Sequence, residues 1–217
     1  MTAAPARGPV LPRMTAVPSF LCAPIGDLDR LGPWIVALAG LFLDHGDATA
    51  FGRRFAARQL RYACALDRIS SRASCVDVGD VNVFPLEPMR QDAALRRQIV
   101  AIAATGAIAV LVGGRRLGFP LGACIGAETI EAGDQSLVHA ATPLAAIVDL
   151  APVLARAPAP GARAALQAAI GALPRGRVVA VHLTGFAPDL DIAGRREASL
   201  AALALQRLAD HLGARAP

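Results

Sequence analysis

The stretch AIAVLV, residues 107–112, runs without a single polar side chain straight into Gly113 and Gly114. A short apolar strand of this kind, set between helical patterns and ending on glycine, has the character of a central strand in a parallel sheet, buried on both faces. Around it the chain alternates. Residues 74–83 (SCVDVGDVNV) and 177–184 (RVVAVHLT) read as further strands, and residues 16–24 (AVPSFLCAP) as a first one. Helices are expected over residues 50–69, 91–105, 164–173 and 195–212, where apolar residues recur at helical spacing. Residues 31–43 are apolar and read as a helix with Pro33 near its start and Trp34 as its anchor. Residues 120–127 read as a short helix, 140–154 as an apolar run interrupted by Asp149, and 155–162 as a surface connection. Strands alternating with helices imply an α/β fold, a three-layer α/β/α domain with a mostly parallel central sheet.

Composition narrows the partners. At 217 residues the chain suits one domain that buries roughly 70% of its unfolded surface. Aromatics are only 4%, so the core rests on many small aliphatic contacts. The net charge of +5 is largely arginine, but no dense basic run carries interleaved aromatics, so no nucleic-acid partner is expected. No stretch reaches about 18 uninterrupted apolar residues, and no leader pattern opens the chain, so no membrane association and a cytoplasmic location are expected. Residues 1–15, rich in Ala, Pro and Gly, are expected to be loose, with one domain over 16–217. Cys22, Cys64, Cys75 and Cys124 match no CxxC or zinc-knuckle spacing and read as buried free thiols.

Four segments, in order, carry a resemblance: GDATAFGRRFAARQLR (46–61), DVGDVNVFP (77–85), ATGAIAVLVGGRRLGFPLGAC (104–124) and RVVAVHLTGFAPDLDIAGRREASLAALALQRLADHL (177–212). Together they resemble the ureohydrolase family of arginase, agmatinase and formiminoglutamase. The resemblance implies an arginase-like fold, shortened around residues 125–175. Active members of that family activate a water between two Mn²⁺ ions, which needs several carboxylates and imidazoles.

The departures from the family pattern bear on chemistry. Where the family reads G-G-D-H-S, Gly113 and Gly114 match the glycines, but Arg115 and Arg116 stand at the Asp and the metal-binding His. At roughly 4 Å and an effective dielectric of about 20, each added like charge repels a cation by on the order of 4 kcal/mol. The family's D-A-H-x-D cluster has no counterpart; IVDLAPVLA (147–155) offers only Asp149. Its S-x-D-x-D-x-x-D-P strand has none either. In the last strand Gly185 stands at the family's substrate-facing Glu. The resemblance therefore implies no metal ligands and no cofactor.

Individual residues keep two readings each. His45, His139, His182 and His211 are the only histidines, and none forms HxH, HxxxH or HExxH. His45 sits beside Asp44 and Asp47, as a metal or acid–base group or in a solvated turn. His182 lies in an apolar strand, either as a core histidine or as an acid–base group at the active-site end. Asp77 and Asp80 flank Gly79 at a strand end, as site carboxylates or as loop-capping groups. Arg115 and Arg116 are candidate ligands for a carboxylate or phosphate, or ion-pair partners of Asp77 and Asp80. VGGRRLG lacks the GxGxxG fingerprint and a P-loop lysine, which argues against a nucleotide-binding domain.

The expectation for function is a noncatalytic ureohydrolase-like protein: a binding, regulatory or structural partner, as a homodimer or a heteromer with an active homologue, with an anionic small molecule as a further ligand. The competing expectation is a divergent hydrolase of a carbon–nitrogen bond in a guanidino or amide substrate. It would draw on His182, Asp77, Asp80 or Asp149 converging to about 3 Å.

Overall fold

The computed structural model describes residues 18–42, 53–82, 84, 87–114, 117, 119–132, 142–154, 161–188 and 196–213. Among them six strands form one sheet: β1 (Val36–Gly40), β2 (Cys75–Asp80), β3 (Ile108–Val112), β4 (Glu128–Glu131), β5 (Leu144–Asp149) and β6 (Val178–Thr184). Every pairing is parallel, in the order β2-β1-β3-β6-β5-β4. The helices are α1 (Ala56–Asp67), α2 (Pro88–Ala104), α3 (Ala151–Leu154), α4 (Ala162–Gly171) and α5 (Arg196–Leu212).

The alternation of strand side chains builds two unlike faces. Val36, Leu38, Val110, Val112, Ala146 and Val148 face the layer of α1, α4 and α5, where Leu60, Leu166, Ile170, Leu205 and Leu208 meet them. The opposite face is paved with small residues: Ala37, Ala39, Ala109, Ala145 and Ala180. That paving makes room for the long side chains of α2, and Leu95, Ile99 and Ile102 are fully buried against it. The α/β/α layering expected from the sequence is the observed one. No helix among the described residues is long and apolar enough to cross a membrane.

Three local expectations fail. Residues 31–43 hold strand β1 rather than a helix. An apolar run without a polar face carries no period, and this one is buried on both faces between β2 and β3. Trp34 is not an anchor: it lies in the preceding turn at φ 68 and is 43% exposed. Within residues 16–24 the described part forms a 3-10 turn, Phe20–Cys22, with Leu21 and Cys22 at positive φ; only Ile25 bridges to the sheet, beside Asp77. Residues 120–127 make a 3-10 turn, Leu121–Cys124, that leads into edge strand β4. The segment 1–15 lies outside the described residues.

Candidate functional site

In an open parallel sheet, ligand groups gather beyond the carboxyl ends of the strands, where neighbouring connections diverge. Here the chain leaves β1 for β2 on one side, while β3 pairs with β1 on the other. Asp80, Gly113, Asp149 and Thr184 stand at these ends, and each is already engaged.

Arg61 of α1 is the hub. It occupies the buried stripe of its helix, four residues after Ala57 and three before Cys64, both fully buried. Its Nε donates to Asp77 Oδ2 at 2.8 Å and its Nη2 to Asp77 Oδ1 at 2.9 Å, a forked pair. Nη1 donates to Asp80 Oδ1 at 2.6 Å, and Nη2 also reaches the Gly79 carbonyl at 3.2 Å. The guanidinium lies 4.0 Å from the centroid of the Phe20 ring. Asp77 is 1% exposed and also accepts the backbone amides of Phe20 (2.9 Å) and Gly79 (3.0 Å). A buried carboxylate is tolerable only when paired and hydrogen-bonded in this way. Burial opposes the charged guanidinium, but the bonds and charges of Asp77 and Asp80 outweigh it and raise the Arg61 pKa. Asp80 packs over β1 so closely that a Cβ on Gly40 would collide with it. Asp77 and Asp80 thus share one partner, Arg61.

His182 is fully buried in β6, in register with Leu111 of β3 and Ile147 of β5. Its Nε2 lies 2.9 Å from the Gly113 carbonyl oxygen. Two residues on, the Thr184 hydroxyl donates to the Gly114 carbonyl at 2.8 Å. The two side chains therefore hold down the turn that leaves β3. Gly113, at φ +90, packs against the first turn of α1, where a Cβ would press on Ala56 and Ala57.

At the end of β5, Asp149 is exposed and its Oδ1 accepts the Ala151 amide at 2.9 Å, capping α3. Gly185, at φ +86, fits directly against this cap. Any Cβ there would overlap Asp149 Oδ1 and the amides of Leu150 and Ala151. The backbone admits no side chain at this position, a glutamate included.

Among the described residues no hydrogen bond joins any two of His182, Asp77, Asp80 and Asp149: Asp77 and Asp80 share Arg61, Asp149 bonds to the Ala151 amide and His182 to the Gly113 carbonyl. Among the described residues no group of three or more His, Cys, Asp and Glu converges as a metal site. At the described strand ends Asp77 and Asp80 are bound to a guanidinium, and Asp77 and Asp149 to backbone amides. Arg115, Arg116, His45 and His139 lie outside the described residues. The thiols are not uniformly buried: Cys64 is, Cys75 and Cys124 are half-buried, and Cys22 is exposed at the positive-φ turn, its Sγ 3.6 Å from the Cys64 carbonyl.

Arg61, within the helix expected over residues 50–69, is not among the candidate site residues of the sequence. Its spacing to Ala57 and Cys64, i+4 and i−3, was the available signal that it faces inward.

No protein-family model and no curated protein matches this chain. Solved structures do. The proclavaminate amidino hydrolase of Streptomyces clavuligerus is 16% identical with a TM-score of 0.65, covering 93% of this chain and 99% of its own. The agmatine ureohydrolase of Thermoplasma volcanium is 12% identical with a TM-score of 0.66, covering 92% and 96%. A Trypanosoma cruzi formiminoglutamase variant with Mn²⁺ is 12% identical with a TM-score of 0.62, covering 83% and 94%. What these share with the present chain is the fold.

Proposed function

We propose that this chain, which has the fold of the arginase-type ureohydrolases, does not run their two-manganese chemistry and serves as a noncatalytic binding, regulatory or structural partner in an assembly. The observation that supports this is the use of the sheet-end polar groups. Asp77 and Asp80 neutralise Arg61, Asp149 caps α3, His182 and Thr184 hold the turn after β3, and the steric contact at Gly185 excludes a side chain. Two carboxylates against one guanidinium leave a single net negative charge at this corner, too little to offset a pair of divalent cations. Arg115 and Arg116 follow Gly113 and Gly114 directly in sequence and would add positive charge after β3. They are the residues proposed to meet an anionic group of a partner or small molecule. The assembly is a homodimer or a heteromer with an active homologue.

The test is bound-metal stoichiometry by plasma mass spectrometry after incubation with excess Mn²⁺ and desalting, with hydrolysis of agmatine, arginine and formiminoglutamate assayed on the same sample. The expected values are near zero metal per chain and no turnover. A value of about two per chain, or enzymatic turnover of any guanidino substrate, overturns the proposal. A second reading, hydrolysis of a carbon–nitrogen bond, is favoured by one observation: the fold neighbours include an amidino hydrolase and a ureohydrolase. Turnover in that assay would establish it.

A further inference from the structure

We propose a binding site for a small dianion, bearing carboxylate or phosphate oxygens, in the cavity between the carboxyl-terminal ends of α4 and α5. The cavity measures about 420 Å³ and is lined by Gln167, Ile170, Arg175, Arg207, Asp210 and His211. This falls within the roughly 300–1,000 Å³ of small-molecule sites. Arg175 comes from the turn before β6 and Arg207 from α5; both are exposed. Among the described residues neither guanidinium has a hydrogen bond or ion pair, which sets them apart from Arg61. Two forked donors on one cavity match two charged oxygens or a phosphate.

Of the other lining groups only the Asp210 carboxylate offsets part of that charge, so two guanidiniums against one carboxylate leave the lining positive. Asp210 pairs with neither arginine: its Oδ1 accepts the Ser71 hydroxyl at 2.6 Å and the Arg72 amide at 2.7 Å. His211 has Nε2 at 2.7 Å from the Leu173 carbonyl, so this nitrogen carries the proton and donates. The partial negative charge at the ends of α4 and α5 makes arginine favourable there. Spread over several carbonyls, it does not neutralise two guanidiniums. Gln167 adds an amide that can orient a ligand, and Ile170 an apolar wall.

The site is not the sheet-end region discussed above. Arg175 precedes the amino end of β6, and Thr184 is the last of the seven residues of that strand, about 20 Å along it. The inference is therefore independent of whether the carboxyl edge is catalytic.

Isothermal titration calorimetry of the full chain at low ionic strength, with succinate and with inorganic phosphate as probes, tests it. The expected result is one site per chain for at least one probe, weakening as salt rises. Succinate alone points to a dicarboxylate ligand, phosphate alone to a phosphorylated one. Arg175→Ala and Arg207→Ala should each weaken binding by about tenfold or more, with Arg207→Lys between Arg207→Ala and the parent chain. Arg30→Ala, on the exposed turn Leu28–Arg30, should leave it unchanged. Circular dichroism establishes that each variant is folded. Absence of heat for both probes at millimolar concentration, or equal affinity in the folded Arg175→Ala/Arg207→Ala double variant, overturns the proposal.

Discussion

Asp77 and Asp80 carry the same charge on the same strand and share Arg61, yet burial makes them unequal. The Asp77 side chain is 2% exposed and the Asp80 side chain 40%. Removing Asp77 would leave a largely buried guanidinium with the more exposed Asp80 as its remaining carboxylate, and the Phe20 and Gly79 amides without their acceptor. Asp77→Ala is expected to cost about 3–5 kcal/mol. Asp80→Ala removes a solvent-screened pair and should cost about 1 kcal/mol or less. Urea unfolding of both variants measures the contrast, and equal losses would mean that Arg61 does not organise this corner. Gly185 makes the complementary point in steric terms: Asp149 Oδ1 and two backbone amides fill the space that a side chain would need there.

At the scale of elements, the sheet face under α2 is as much a product of alanine as the helix is of leucine and isoleucine. Ala109 is fully buried there among Leu95, Ile99 and Ile102. Ala109→Leu should destabilise by about 1–3 kcal/mol through overpacking, whereas Ala164→Leu on the exposed side of α4 should fall within about 0.5 kcal/mol of the parent chain. Guanidinium denaturation of the two variants is the check; an unchanged Ala109→Leu would mean that α2 does not pack tightly on this face. The same alanines explain why β1 was read as a helix. Residues 35–40, IVALAG, contain strong helix formers and no polar face, and only pairing with β2 and β3 decides between the two conformations.

For the molecule as a whole, alkaline stability is unusually simple to read because the chain contains no lysine. Burial pushes the Cys64 thiol up to about 12 and the Cys75 thiol up to about 11, from an ordinary value of 9.0. A thiol whose folded pKa is raised binds its proton longer in the native state than in the unfolded chain. The stability it contributes is fully present below the ordinary thiol pKa and is lost as pH rises through the folded value. Unfolding free energy should therefore fall by on the order of a few kcal/mol between about pH 9 and pH 12. Cys64→Ala should flatten that limb, as measured by denaturation at stepped pH. An identical limb in the variant would assign the loss to Cys75, the other thiol that burial raises.

The sequence by itself determined the layer architecture and most elements, because hydrophobic period and glycine punctuation act within a single element. Strands at 75–80, 108–112 and 178–184 and helices at 56–67, 88–104 and 196–212 were legible this way. Arg115, Arg116 and Gly185 were legible too, as departures from the family pattern that the sequence resembles. Only the tertiary structure decided the rest. Arg61 meets Asp77 across 16 residues, Phe20 meets Asp77 across 57, and His182 meets Gly113 across 69. Those partners are selected by strand order and helix packing, which no local pattern encodes. The same is true of Arg175 and Arg207, which share a cavity because α4, the turn before β6 and the end of α5 meet at the amino edge of the sheet.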